Sequence, residues 1–398
     1  MAHTAKTGVK QITVMAVIGT RPEAIKIAPV VAALNRQPGK FQTIVAATGQ
    51  HRELLDQTLA IFRIKPHVDL NLMRSHQGLP SLTARVLESM SGIFARTKPD
   101  IVLVQGDTTT VFAAALAAFY EKVPVAHIEA GLRTYNKYSP FPEETNRRLT
   151  TAMADIHFAP TLSAKVALLK EGVAADKIIV TGNTVVDALM QVLQLPFSFR
   201  NTSLKNLDFR KYRLVLATSH RRESFGPELE NICLALKHIV MKYQDIVVVY
   251  PVHPNPVVKN TTQKILGGVG RIYLVDPLDY LTFVNLMKKS YMILTDSGGL
   301  QEEAPTLKKP LLLLRNVTER PESFQAGTSK VIGTDRRRIV EEAENILNNK
   351  KVYDKMKLKD NPYGDGRAAH RIVKALSLWA KGKKPLIAPF EEFDALPA

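Results

Sequence analysis

DIVLVQGDTTTVFAAALAAFYEKVPVAHIE, from Asp100 to Glu129, reads as strand, helix and strand. An unbroken apolar run such as DIVLVQ is what a strand buried on both faces presents, and the stretch through Ala113 to Tyr120 suits a crossover helix before VPVAHI resumes the strand pattern. Strands joined this way lie parallel. Upstream the same alternation appears as ITVMAVIG with a helix through Ala28 to Leu34, and as TIVAAT with a helix from Arg52. The first half therefore predicts a doubly wound α/β domain, an open sheet covered on both faces.

After a polar, proline-marked stretch from Leu195 to Arg213 the pattern restarts with YRLVLATS, IVVVYPV, RIYLVD, YMILTD and PLLLLRN. A second domain of similar plan follows. At 398 residues the chain exceeds what one hydrophobic core usually serves, so two Rossmann-like domains of about 200 residues facing a cleft are expected. The predicted division is 1–190, 191–366 and a C-terminal segment 367–398, in which RAAHRIVKALSLWAK reads as an amphipathic helix after the turn cluster NPYGDG.

Composition limits the function classes. A chain 45% hydrophobic and 23% charged is an ordinary globular one, which argues against disorder except at the ends. No stretch reaches ~18 consecutive apolar residues and the polar start, Met1 to Lys10, lacks a secretory core, so a cytosolic protein without membrane insertion is expected. The single cysteine, Cys233, lies in the amphipathic PELENICLALKHIV, which excludes an intramolecular disulfide or a cysteine metal site and suggests a buried, inert thiol. A net charge of +17 suggests an anionic partner such as nucleic acid. Against that, the excess sits in short runs (Arg336 to Arg338, from Lys350, from Lys381) without interleaved aromatics, the pattern of a solvated basic surface.

Ligands of open parallel sheets bind beyond the carboxyl ends of the strands, and the chemistry-bearing residues of this chain fall at those ends. The first strand runs into GTRPEAIK, where Gly19 permits a tight turn and Arg21 and Lys26 bring positive charge for a phosphate. There is no Walker lysine motif and no GxGxxG here, which speaks against nucleotide hydrolysis and nicotinamide binding. Asp107 follows the next motif strand, with Thr108 to Thr110; Asp or Thr there is equally a helix cap. Glu129, Arg133, Glu143, Glu144 and Arg147 then crowd a mostly irregular segment, where acids can converge on one pocket.

In the second half, His220 beside Arg221 and Arg222 makes an anion site at a strand end, and His253 follows another strand. Ser297, Gly298 and Gly299 open a helix directly after YMILTD, so their N–H groups suit a pyrophosphate without a metal. Glu302 and Glu303, about a turn on, suit ribose hydroxyls, and NVTERPESFQAGT adds Arg320 and Glu322.

Taken in order, GTRPEAIK, TGQHRELLDQ, GDTTT, HIEAGLRT, PFPEETNRR, GNTVVDAL, SHRRESFG, DSGGLQEEAP, TERPE and NPYGDG resemble the non-hydrolysing UDP-N-acetylglucosamine 2-epimerases, from about Ile12 to Trp379. The resemblance implies a glycosyltransferase-B type fold, a C-terminal helix returning to the first domain, a homodimer, a UDP-N-acetylhexosamine substrate, and no nicotinamide or obligatory metal. Carried over, UDP contacts would be Arg21, Lys26, His220, Ser297, Gly298, Gly299, Glu303 and Arg320. The catalytic set would be Asp107, Glu129 and Glu143, with His220 at its edge. A second, regulatory nucleotide-sugar site would involve Gln50, His51, Gln77, Arg221 and His253.

Three positions depart from the family pattern: Asn316 for Asp, Ser224 for Asn, and Glu53 for Gln, the last placing a negative charge near the regulatory site. Substrate decoration is not legible, which keeps a UDP-2,3-diacetamido uronic acid epimerase and a hydrolysing relative as alternatives. A glycosyltransferase of the same fold and a nucleic-acid-binding protein are more distant ones.

Overall fold

The computed structural model describes residues 11–49, 52–72, 78–221, 224–357 and 360–394, with backbone alone at 52–54. Among these, one compact unit runs to Ala188 and takes up the chain again from Gly364, and the other spans Leu189–Tyr363.

The first unit holds a seven-stranded sheet of β1 (Ile12–Ile18), β2 (Phe41–Ala47), β3 (Val68–Asp69), β4 (Ile101–Gln105), β5 (Val125–Ile128), β6 (Ile156–Ala159) and β7 (Ile178–Val180). All pairs are parallel, in the order β3-β2-β1-β4-β5-β6-β7. Alternation along a strand explains the two layers of helices. Val14, Ala16 and Ile18 face a core shared with the helix Arg21–Asn35, while Met15 and Val17 face a second core with the helices Leu79–Thr97 and Thr109–Tyr120.

The second unit repeats the plan with six parallel strands, β8 (Arg213–Thr218), β9 (Ile246–Pro251), β10 (Ile272–Val275), β11 (Met292–Thr295), β12 (Leu311–Leu313) and β13 (Ser329–Val331). Their order, β10-β9-β8-β11-β12-β13, again reverses beside the first strand, so each unit has a switch point where the chain runs outward in both directions. The doubly wound α/β reading of both halves holds. The short strands β3, β6, β7 and β13, of two to four residues, are not among those expected from the sequence. Cys233 is buried in the second core, where burial pushes its thiol up to about 12. The basic runs lie on exposed surface: Arg336 to Arg338 open the helix Arg336–Asn348, and Lys381, Lys383 and Lys384 are solvent-facing. Among the described residues no helix is long and apolar enough to cross a membrane.

The C-terminal helix Ala368–Trp379 packs Ala369, Ile372, Val373, Ala375 and Leu376 into the first unit's core. Asp187, from the GNTVVDAL segment, caps it by accepting the N–H groups of Ala368 (3.2 Å) and Ala369 (2.9 Å). Burial pushes the Asp187 carboxyl up to about 6, which still leaves it a carboxylate at neutral pH with both oxygens accepting. Asp187→Ala should lower unfolding free energy by ~1–2 kcal/mol, the usual weight of a helix cap, and Asp187→Asn, which keeps one acceptor but turns its NH2 toward the second N–H, should recover only part of that in urea denaturation.

Candidate active site

At the first unit's switch point, two loops lock together. Gly19 sits so close to Thr110 that an added Cβ would stand 2.4 Å from the Thr110 hydroxyl, which explains the glycine by contact with the chain itself. Glu23, in the first turn of the helix Arg21–Asn35, turns back: it accepts the Gly19 N–H (2.6 Å) and the Thr20 hydroxyl (2.9 Å), and bonds the Thr108 side chain of the neighbouring loop. Burial pushes its carboxyl up to about 7. Glu23 is not among the site residues expected from the sequence, although Thr20-x-x-Glu23 has the spacing of a capping box.

Glu129 is the centre of this unit's site. It directly follows β5, is 6% exposed, and has φ +67°, a left-handed backbone rare outside Gly and Asn. Three donors converge on one carboxylate oxygen, Oε2: the Lys26 ammonium, the Gln105 amide at the end of β4 (3.2 Å) and the Asn183 amide beyond β7 (3.0 Å). A buried carboxylate so supplied keeps a fixed direction. Beside it, half-buried Asp107 is gripped by Arg147 through Nε (2.9 Å) and Nη2 (2.6 Å), and its carbonyl accepts the Asn146 amide (2.9 Å).

Arg133 and Glu144 of the crowded segment act as supports. Arg133 makes a two-pronged bond to Glu171 (2.8 Å each) and ties Thr151 (2.9 Å). Glu144 accepts the N–H groups of Thr134 and Tyr135 (3.0 Å each) and Arg147 Nη1 (3.1 Å), fixing the loop before its own helix. Arg21 and Glu143 are the first residues of the helices Arg21–Asn35 and Glu143–Met153, both half-buried.

In the second unit a buried acid again organises a strand-end loop. Asp296, after β11 and wholly buried, receives on Oδ2 the N–H groups of His220 and Arg221 (2.9 Å each) and the hydroxyls of Ser219 (2.9 Å) and Ser224 (3.0 Å). Its Oδ1 lies 3.4 Å from His220 Nδ1. The His220 ring stacks on His253, centroids 5.7 Å apart, so these two expected site residues come together, while the Arg221 guanidinium lies 3.7 Å from Glu319. Asp296 was missed in sequence because its neighbours Ser297 to Gly299 carried the glycine-rich signal. Ser224, noted as a departure, is one of the ligands of Asp296.

The Gly298–Glu303 helix is short, and its Gly298 answers to a side chain: a Cβ there would stand 2.7 Å from Arg320 Nη1. Arg320 is itself held by Glu302 (2.6 Å) and Glu319. Glu302, expected at ribose hydroxyls, is thus wholly buried support for Arg320, and Glu303 accepts the Tyr280 hydroxyl (2.7 Å). Burial raises the Glu319 carboxyl, yet the guanidiniums of Arg320, Arg315 and Arg221 outweigh that and hold it well below the usual carboxylate range. The NPYGDG turn explains itself here: the Tyr363 hydroxyl donates to the Arg320 carbonyl (2.9 Å) and the Asn361 amide to that of Glu302 (2.7 Å). Asn316 is exposed. Gln50, His51 and Gln77 lie outside the described residues, as does the Glu53 side chain. No group of His, Cys, Asp or Glu among the described residues is arranged to hold a metal ion.

Glu23 yields a signed pH dependence. Its folded value near 7 lies above the unfolded value of 4.5, so its contribution is fully present below the unfolded value and is lost as pH rises through 7. Glu23→Gln does not titrate. Its unfolding free energy relative to the parent should therefore rise by ~2–3 kcal/mol from about pH 5 to about pH 8 in paired urea denaturations; a flat difference would mean that Glu23 is not so buried.

Comparison with known proteins places this geometry in a family. The sequence model described as UDP-N-acetylglucosamine 2-epimerase matches residues 32–377. The UDP-N-acetylglucosamine 2-epimerase of Escherichia coli K12 is 51% identical over 368 residues, covering 91% of this chain and 98% of its own. That of Bacillus subtilis is 50% identical over 367 residues, covering 92% and 95%. The crystal structure of the Neisseria meningitidis UDP-GlcNAc 2-epimerase bound to UDP-GlcNAc has a TM-score of 0.87 at 47% identity, over 92% of this chain and 99% of that one. Agreement of this extent in sequence and in fold leaves one assignment: the chain belongs to the UDP-N-acetylglucosamine 2-epimerase family.

Proposed function

We propose that this protein interconverts UDP-GlcNAc and UDP-ManNAc without releasing free sugar. The observation that carries the reading is Glu129, a directed, buried carboxylate at a strand end, with a second carboxylate, Asp107, held by Arg147 on the adjacent strand end. The proton on carbon 2 is too weakly acidic for direct removal. A carboxylate that takes it while the carbon 1–oxygen bond to UDP breaks produces UDP and 2-acetamidoglucal, with a double bond between carbons 1 and 2. Re-addition of UDP to carbon 1, with a proton delivered to the other face of carbon 2, gives the epimer.

In this reading Asp107, Glu129 and Glu143 form the acid–base set. His220, Ser297, Gly298, Gly299, Glu303 and Arg320 hold UDP, and Arg21 and Lys26 stabilise the departing charge. Arg221 and His253 belong to the regulatory nucleotide-sugar site. The enzyme works in the cytosol as a homodimer, supported by exposed Phe119, Tyr120 and Leu149 on the neighbouring helices Thr109–Tyr120 and Glu143–Met153.

Incubation with UDP-GlcNAc in heavy water, followed by NMR, should give deuterium at carbon 2 and a mixture of gluco and manno sugars still bearing UDP. Accumulating free UDP and free sugar would place the enzyme on the hydrolysing branch. Glu129→Gln and Asp107→Asn should each cut turnover ~10²-fold or more with UDP affinity retained. His220→Ala and Arg320→Ala should instead weaken UDP binding by ~1.5–3 kcal/mol in calorimetry, and unchanged affinity in both would put the pyrophosphate elsewhere.

A further inference from the structure

Two imidazoles lie side by side inside the first sheet. His127 on β5 and His157 on β6 are register partners, and both are buried. The proposed chemistry uses neither. Burial pushes His127 down to about 4, against the nearby carboxylates of Asp107 and Glu129 and together with Arg133; it pushes His157 down to about 3, with His127, Lys177 and Arg133 acting the same way. Both rings are neutral at physiological pH.

A neutral imidazole carries one N–H. The His127 Nε2 lies 2.7 Å from the carbonyl oxygen of Gly106, which can only accept, so the hydrogen is on Nε2 and Nδ1 keeps a lone pair. That Nδ1 is buried and has no hydrogen-bond partner among the described residues. An unsatisfied buried acceptor is unfavourable, and an apolar side chain would avoid it. What the histidine gains in return is the Gly106 carbonyl.

Gly106 has φ +82° and immediately precedes Asp107. Its own N–H donates to the carbonyl of Ile128 (3.0 Å), the residue before Glu129. Both polar groups of Gly106 are therefore fastened to β5, one by backbone and one by the His127 ring. We propose that His127 is a positioning residue: its Nε2–H clamps the Gly106 carbonyl to β5 and so sets where the Asp107 carboxylate stands relative to Glu129. The inference rests on reading Asp107 and Glu129 as acid–base partners.

H127F keeps a ring and removes the donor, whereas H127Q offers an amide N–H close to the Nε2 position. In H127F, kcat on UDP-GlcNAc should fall ~10-fold or more with KM within ~2-fold, since a 1 Å displacement of a reacting group can cost ~10²-fold. H127Q should recover most of the rate with an unchanged pH–rate profile above about pH 5, because the native ring does not titrate there. A kcat in H127F within ~2-fold of the parent, a loss carried by KM, or an H127Q variant as slow as H127F would overturn the proposal.

Two readouts need no turnover, so they separate failure of the clamp from failure of the epimerase reading. Imidazole nitrogen NMR of the unmodified protein should show His127 as the neutral Nε2–H tautomer at pH 7; an Nδ1–H tautomer or a charged ring overturns the clamp even if H127F does not fold. Hydrogen exchange at the Gly106 amide should be faster in H127F than in the parent and H127Q, and equal rates in all three count against it.

Discussion

A carboxylate withdrawn from water needs partners within reach, and Glu129 finds them only because four separate stretches of chain end at one place. Lys26 comes from the helix after β1, Gln105 closes β4, Asn183 follows β7, and Glu129 itself follows β5. The parallel order of the sheet puts these carboxyl ends on one edge. Loss of that register would leave a buried charge uncompensated, so the site and the sheet constrain each other. The left-handed backbone at Glu129 belongs to the same constraint, because it aims the side chain back over the strand ends rather than along β5.

The second unit solves a similar problem with Asp296. One buried oxygen collects two backbone N–H groups and two hydroxyls, which shapes the His220–Arg221 loop through its backbone. Around Arg320 the logic is different. Glu302 pairs with Arg320, and Glu319 with Arg320, Arg315 and Arg221, so buried carboxylates here are answered by guanidiniums rather than by backbone N–H groups. Glycine at 298 is needed because Arg320 packs where a Cβ would be. Side-chain crowding thus accounts for Gly298, whereas a Cβ at Gly299 would meet nothing closer than the Ser297 hydroxyl at 3.9 Å.

The large positive charge of the chain is dispersed by comparison. Its runs lie on exposed helices and on the segment after the C-terminal helix, with pairs such as Arg337–Glu341 and Lys384–Asp176 at the surface. Such exposed pairs contribute little to stability and favour solvation. The buried ions are the ones that shape loops.

Fold class was open to reading because it rests on local periodicity: Val- and Ile-rich runs alternating with helical stretches can only bury themselves as parallel strands under helices. Placement of Asp107, Glu129 and His220 at strand ends was legible for the same reason, as was the amphipathic C-terminal helix. What the sequence could not distinguish was which of the charges in HIEAGLRTYNKYSPFPEETNRR serve the site and which hold it up. Arg133 and Glu144 look no different from Arg147 and Glu129 as letters; their partners, Glu171 and the Thr134–Tyr135 backbone, separate them. Glu23, His127 and Asp296 stayed unnoticed because their importance lies in burial and in bonds to other loops, Asp296 reaching 77 residues back to Ser219. Periodicity is a property of neighbours in the chain, whereas burial and hydrogen-bond partners are set by the order in which distant strands assemble, and only the folded sheets decide that.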